Sequence, residues 1–143
     1  MNSGYNSISK WVSIMHRQFQ MFMNKQLKDF GINSSEFLYI ITLYSNSGMS
    51  QDELAQELHL DNAAVTRSIK SLENKGFIYR ERDKDNHRVK RVYLTEKGEV
   101  FLPQLRSILE SWDAYAKSTI DSDLYNVVTS GIREMSLEMI KNK

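Results

Sequence analysis

Apolar side chains recur along this chain at a helical period, then at a strand period, then at a helical period again. Ile8, Trp11/Val12, Met15, Phe19, Phe22/Met23, Leu27 and Phe30 set the first repeat, which Gly31 closes as a C′ glycine. Asn33 and Ser34 then offer an N-cap, and Phe37, Ile40/Ile41 and Tyr44 carry a second apolar face up to Asn46-Ser47-Gly48. Ser50-Gln51-Asp52-Glu53 reads as a capping box: the serine serves an amide in the first turn, and Glu53 reaches back to the Ser50 amide. Leu54, Ala55 and Leu58 give that short helix its stripe. His59-Leu60 forms the connection, and Asp61 or Asn62 caps the next helix. Val65, Ile69 and Leu72 line its buried side, and Gly76 ends it.

The period changes after Gly76. Phe77–Arg80 and Val89–Leu94 are β-rich, with Val92 and Leu94 on one face, and the polar segment 82–88 lies between them. The pattern predicts a hairpin with a long charged tip. Thr95 restarts helix, and Leu102, Leu105, Ile108/Leu109 and Trp112 carry it onward. Pro103 lies inside this repeat, where it removes the bond to the Glu99 carbonyl and should bend the helix. After residues 120–123, Leu124, Val127/Val128, Ile132, Met135 and Met139 predict a last amphipathic helix.

Composition narrows the class. A single proline and six glycines are too few for a turn-rich β protein of 143 residues, so a mostly α fold with a small β-wing is expected. No apolar run approaches the roughly 18 residues of a membrane span. The opening residues lack the charged start, apolar run and cleavage site of a signal peptide, which predicts a cytoplasmic chain. Cysteine is absent, which removes disulfides, thiol redox sensing and thiolate metal sites. The net charge of +1 hides an uneven distribution, because residues 80–91 hold six basic side chains against three acidic ones. A basic stripe on a near-neutral chain suits a phosphate-binding surface.

Two short helices on a tight turn, followed by a charged hairpin, describe a winged helix-turn-helix. On the second helix Ala63, Thr66, Arg67 and Lys70 stand opposite the buried stripe. Small residues early on that face allow approach to the major-groove floor. Thr66 and Asn62 can bond base edges or phosphates, and Arg67 and Lys70 can reach guanine or the backbone. Ser50 and Gln51, at the start of the preceding helix, join the candidate contacts. In the hairpin, Arg82, Lys84, His87, Arg88, Lys90 and Arg91 form a cationic loop long enough to enter a minor groove.

These motifs carry a resemblance. Residues 50–55 (SQDELA), 62–67 (NAAVTR), 72–78 (LENKGFI) and 88–98, with its Leu94-Thr95, resemble the multiple-antibiotic-resistance regulator (MarR) family along nearly the whole chain. The family's wing carries an aspartate two residues before an arginine. Here that place holds Asn86, with Asp85 beside it, so either Asp85 pairs with Arg88 or Asn86 bonds it without charge. The resemblance implies a single domain over 1–143, with a winged core at about 33–98 and dimerisation helices in 1–32 and 99–143. It also implies a homodimer that reads a pseudo-palindromic operator in double-stranded DNA. Independently, Trp11, Met15, Phe19, Phe22, Met135 and Met139 give the terminal helices more apolar surface than a small core could cover. The family's common mode, repression relieved by a phenolic or carboxylic compound, further implies an aromatic or lipophilic effector between the dimerisation helices and the core. Trp11, Met15 and Phe19 share one face of the first helix and can wall such a site, with His16 or Arg17 meeting the charge.

An enzyme is not expected. His16, His59 and His87 fall on different elements without metal-ligand spacing, and no glycine-rich phosphate loop or serine elbow is present. No cofactor is implied. The alternative is a winged-helix protein-interaction scaffold without specific DNA binding. Its mark would be an acidic or apolar recognition face, and this face is neither.

Overall fold

The structure is a computed structural model that describes residues 6–142. Met1–Tyr5, part of the stretch read for a signal peptide, and Lys143 lie outside the described residues. The elements run α1 (Ile8–Leu27), a 3₁₀ turn (Lys28–Phe30), α2 (Phe37–Ser45), β1 (Met49–Ser50), α3 (Gln51–Leu58) and α4 (Asn62–Asn74). They continue with β2 (Ile78–Arg82), β3 (Lys90–Leu94), α5 (Glu96–Ser118) and α6 (Ser122–Lys141). Two compact units are distinguished, one ending at Leu105 and the other beginning at Arg106, inside α5.

The first unit has a core built largely where the apolar periods predict, except that in α2 Leu43 is buried and Tyr44, expected on the apolar face, is exposed. Met23 and Leu27 of α1, Ile40 and Leu43 of α2, Leu54 of α3 and Val65, Ile69 and Leu72 of α4 are fully or almost fully buried. Val92 of β3 and Leu105 of α5 close the same core. Each such side chain contributes roughly 1.5–3 kcal/mol by leaving water. Phe101 joins them, its ring 4.8 Å from Phe30 and 5.5 Å from Phe77.

Three local expectations need correction. The first helix ends at Leu27, and a 3₁₀ turn intervenes before Gly31, which does take the left-handed φ of 73°. Asn33 does not cap α2. It folds a turn, accepting from the Ser35 amide at 2.9 Å, and the helix starts only at Phe37. The hairpin is also joined by a third strand: the sheet order is β1-β3-β2, antiparallel throughout. β1 has only two residues, too few to show a period, and its place is set by partners distant in sequence. The Gly48 amide donates to the Val92 carbonyl, and Met49 lies opposite Val92.

The return from wing to α5 depends on close approach. Thr95 Oγ1 accepts from the Gly98 amide at 3.2 Å as the helix cap and donates to the Gly76 carbonyl. A Cβ at Gly98 would collide with the Phe77 carbonyl oxygen, which explains a glycine in the first turn of a helix. α5 then runs through Pro103 to Ser118 without a break.

In the second unit α6 begins at the cap Asp121, whose carboxylate accepts from the Asp123 and Leu124 amides. Among the described residues of α6 none is buried, although Leu124, Val128, Ile132, Met135 and Met139 recur at helical spacing. Ile8, Trp11, Val12, Met15 and Met21 of α1 are likewise exposed. Among the described residues no helix is long and apolar enough to cross a membrane.

Candidate nucleic-acid interface

The start of α3 is fixed by the capping box read from sequence. Ser50 Oγ accepts from the Glu53 amide at 3.1 Å, and Glu53 Oε2 accepts from the Ser50 amide at 3.0 Å. Ser50 is consequently buried, its hydroxyl oxygen accepting from the Glu53 amide as the helix cap while its proton stays available to donate. The tight turn follows. His59 takes a left-handed φ of 54°, uncommon for a side chain with a Cβ, and the Leu60 amide returns to the Ala55 carbonyl at 3.0 Å.

Asp61, rather than Asn62, caps α4 by accepting from the Ala64 amide at 2.7 Å. The faces then divide as the sequence predicts: Val65, Ile69 and Leu72 are at zero exposure, while Asn62, Ala63, Thr66, Arg67 and Lys70 are exposed. Thr66 donates its proton to the Asn62 carbonyl at 2.8 Å, which leaves its oxygen as an acceptor. The buried Tyr39 hydroxyl bonds Ser68 of α4, and burial pushes the phenol's pKa up.

Two anchors position α4. Glu36, 2% exposed, receives Lys75 Nζ at 2.8 Å, Ser71 Oγ at 2.5 Å and the Asn33 amide at 3.0 Å. Burial alone would raise its pKa, but the hydrogen bonds from Lys75, Ser71 and Asn33 outweigh it and hold the carboxyl below its ordinary value. The second anchor is Arg80 of β2. Its Nη2 and Nε meet the two oxygens of Glu73 at 2.8 and 3.2 Å, and its Nη1 donates to Gln51 Oε1 at 3.1 Å. The Arg80 hydrogen bonds lower the Glu73 pKa, and the same contact raises that of Arg80. Gln51 passes the chain on, with Nε2 donating to Thr66 Oγ1 at 3.4 Å.

The wing is organised by an acid that sequence reasoning did not single out. Asp83 Oδ1 accepts from the Asp85 and Asn86 amides at 2.8 and 3.1 Å, and Oδ2 accepts from Arg91 Nε at 2.5 Å. Hydrogen bonds from Arg91 and from the two amides hold its carboxyl below the usual range. Of the two alternatives for Arg88, Asn86 meets it through the backbone: Asn86 Oδ1 accepts from the Arg88 amide at 3.2 Å. The ion pair that shapes the wing is Asp83–Arg91. Arg91 also donates from Nη1 to the Gly48 carbonyl at 2.9 Å and lies 3.8 Å from Glu53. Its guanidinium is thereby engaged by Asp83 and the Gly48 carbonyl, with the side chain still 35% exposed. Arg82, Lys84, His87, Arg88 and Lys90 remain exposed.

The structure brings Ser50, Gln51, Arg88 and Lys90 together, while the other predicted contacts stand on α4 or along the wing. A shallow hollow of about 370 Å³ is lined by Ser50, Gln51 and Asp52 of the α3 start, Arg80 of β2, and Arg88, Val89 and Lys90 at the wing root. The Gln51–Thr66 contact continues this polar surface onto the exposed face of α4. The four candidate effector residues are not equivalent. Trp11 and Met15 are 52% and 58% exposed, and His16 is exposed. Phe19 is half-buried, edge-on to Phe37 at 6.0 Å. The Trp11 indole donates to Asn6 Oδ1 at 3.0 Å, with Lys10 over its ring at 5.0 Å. Sequence reading missed Arg80, Glu73, Asp83 and Tyr39 as organisers. Only the acid–base alternation of Arg80 to Asp83 hinted at the first and third, since a salt bridge's partner is chosen by the fold.

Known proteins resemble this chain in sequence and fold. Residues 32–90 match the sequence profile of the MarR family. The chain is 30% identical over 130 residues to YybA, an uncharacterized HTH-type transcriptional regulator of Bacillus subtilis (strain 168), covering 85% of this chain and 87% of that protein. It is 34% identical over 124 residues to the transcriptional repressor MprA of Escherichia coli (strain K12), covering 80% of this chain and 69% of that one. The crystal structure of a MarR transcriptional regulator from Methanosarcina mazei Go1 superposes with a TM-score of 0.88 at 29% identity, over 95% of this chain and 98% of that chain. With its winged helix-turn-helix assembled and these likenesses spanning most of its length, the chain belongs to the MarR family of DNA-binding transcriptional regulators, which are not enzymes.

Proposed function

We propose that this protein is a cytoplasmic homodimeric repressor that reads a pseudo-palindromic operator and releases it on binding a small aromatic or lipophilic effector. The observation that carries the DNA-reading part is the continuous polar surface from the exposed face of α4, through Gln51, to the wing root. In this reading Asn62, Ala63, Thr66, Arg67 and Lys70 enter the major groove, and Arg82, Lys84, His87, Arg88 and Lys90 follow the backbone or the minor groove. Arg91 holds the wing in shape. The whole chain acts as one functional domain, residues 33–98 reading DNA and residues 1–32 and 99–143 building the dimer. The exposed apolar stripes of α1 and α6 support that division, and a twofold axis would set two recognition helices about one DNA turn apart.

Repression is favoured by likeness to MprA, a transcriptional repressor. The effector would meet α1 at Trp11, Met15, His16 and Phe19, and it works only by favouring a dimer geometry that no longer matches successive grooves. Selection of binding sites from random duplex DNA tests the central claim. It should return a pseudo-palindrome, and placing that sequence across a promoter should lower transcription in the protein's presence. A selection without enrichment would remove sequence-specific reading.

A further inference from the structure

Gln51 is the one neutral amide in the chain of contacts that links the wing strand to the recognition helix, and its chemistry is fixed by its neighbour. A guanidinium offers five N–H donors and no acceptor, so the Gln51 atom facing Arg80 Nη1 at 3.1 Å must be the carbonyl oxygen. The amide nitrogen therefore faces outward, and one of its two protons reaches Thr66 Oγ1. Thr66 is able to accept it because its own proton goes to the Asn62 carbonyl. Arg80 has no freedom to turn away, since Glu73 holds it on two nitrogens. One N–H of Gln51 is left over beside the exposed face of α4.

We propose that Arg80 acts as a positioning residue that fixes Gln51 as a hydrogen-bond donor only at the DNA interface. Gln51 then pairs with an acceptor, either a phosphate oxygen or an acceptor on a base edge. A free glutamine recognises adenine by giving a proton to N7 and taking one from N6. With its oxygen committed to Arg80, Gln51 lacks the accepting half of that pair and does not select adenine over guanine.

This inference rests on the DNA-reading proposal above. The test uses the full chain: sites are selected by the wild type, Gln51→Met and Arg80→Met, and binding is measured on the selected operator and on a random-sequence duplex. Circular dichroism and melting establish that each variant is folded. Gln51→Met, neutral and similar in shape, should lower operator affinity about tenfold. An equal loss on both duplexes assigns a phosphate oxygen as the acceptor, and a loss confined to the operator assigns a base edge. Arg80→Met should cost more affinity in the wild-type background than in the Gln51→Met background, because part of its effect passes through Gln51. Equal costs in the two backgrounds, wild-type affinity in Gln51→Met, or an adenine-over-guanine preference that Gln51→Met abolishes would each overturn the inference. If Arg80→Met does not fold, the Gln51→Met comparison decides alone. Wild-type protein that binds neither duplex would defeat the DNA-reading proposal instead.

Discussion

Glu36 and Lys75 stand 39 positions apart in sequence and 2.8 Å apart in space, joining the start of α2 to the end of the recognition helix. Their contact gives stability a pH dependence. The folded Glu36 carboxyl titrates below its ordinary value, so its contribution is fully present above the unfolded carboxylate's range and is lost as pH falls through the folded one. The melting temperature of Glu36→Gln should therefore fall less steeply on acidification than that of the wild type. At neutral pH Glu36→Ala should cost about 1–3 kcal/mol by leaving Ser71 and the Asn33 amide without their acceptor. Parallel acid-melting curves for Glu36→Gln and wild type would refute this.

Salt dependence separates phosphate-binding side chains from structural ones. Two recognition helices and two wings should engage roughly ten phosphates per dimer, so log affinity should fall steeply with log salt. Arg88→Ala should reduce the slope by about one for each phosphate that the arginine neutralises, and it should weaken specific and random DNA alike. Arg67→Ala should weaken binding strongly, with relaxed base preference if it reads guanine. A flat dependence on salt contradicts the proposed interface.

Arg91 should behave differently. Because it is held by Asp83 and the Gly48 carbonyl, Arg91→Ala and Asp83→Ala should weaken DNA binding to a similar degree, and the double variant little more than either alone. Titrations of the three variants at several salt concentrations give the answer. Additive effects, with a reduced slope in Arg91→Ala only, would assign Arg91 to the phosphate-binding set.

The exposed stripe of α6 should be an interface between subunits. Sedimentation should show a dimer at micromolar concentration. Ile132→Asp, in the middle of the stripe and 46% exposed in the single chain, should shift it toward monomer and lower operator affinity in parallel. Removal of residues 122–143 should cause aggregation or loss of folding. A dimer unchanged in Ile132→Asp and in the truncated chain would place the interface elsewhere.

An effector should reduce operator affinity five- to 150-fold, the range of a coupling of about 1–3 kcal/mol. A displacement assay with aromatic acids, phenols and fatty acids, repeated on Trp11→Ala, examines this. Compounds that displace the wild type should lose potency on the variant. If none acts at millimolar concentration, effector control falls while DNA binding stands.

Most of the fold was written in local pattern. The Ser50–Glu53 capping box, the Asp61-or-Asn62 cap, the buried Val65-Ile69-Leu72 stripe and the outward Thr66, Arg67 and Lys70 follow from helical period and from the reach of short polar side chains, which depend only on near neighbours. What the sequence by itself determined was therefore the helix-turn-helix, the hairpin, and a polar face suited to DNA. Tertiary structure decided which charges face outward. Arg88 and Arg91 look alike in sequence, yet Arg91 is drawn in by Asp83 and by a carbonyl 43 residues away, while Arg88 stays exposed. β1, the Glu36 anchor and the Arg80–Gln51 contact were equally hidden, because each joins groups 29 or more residues apart in the chain. Local propensity carries no information about such partners. Only the packing of α2, α3 and α4 against the sheet brings them within bonding distance.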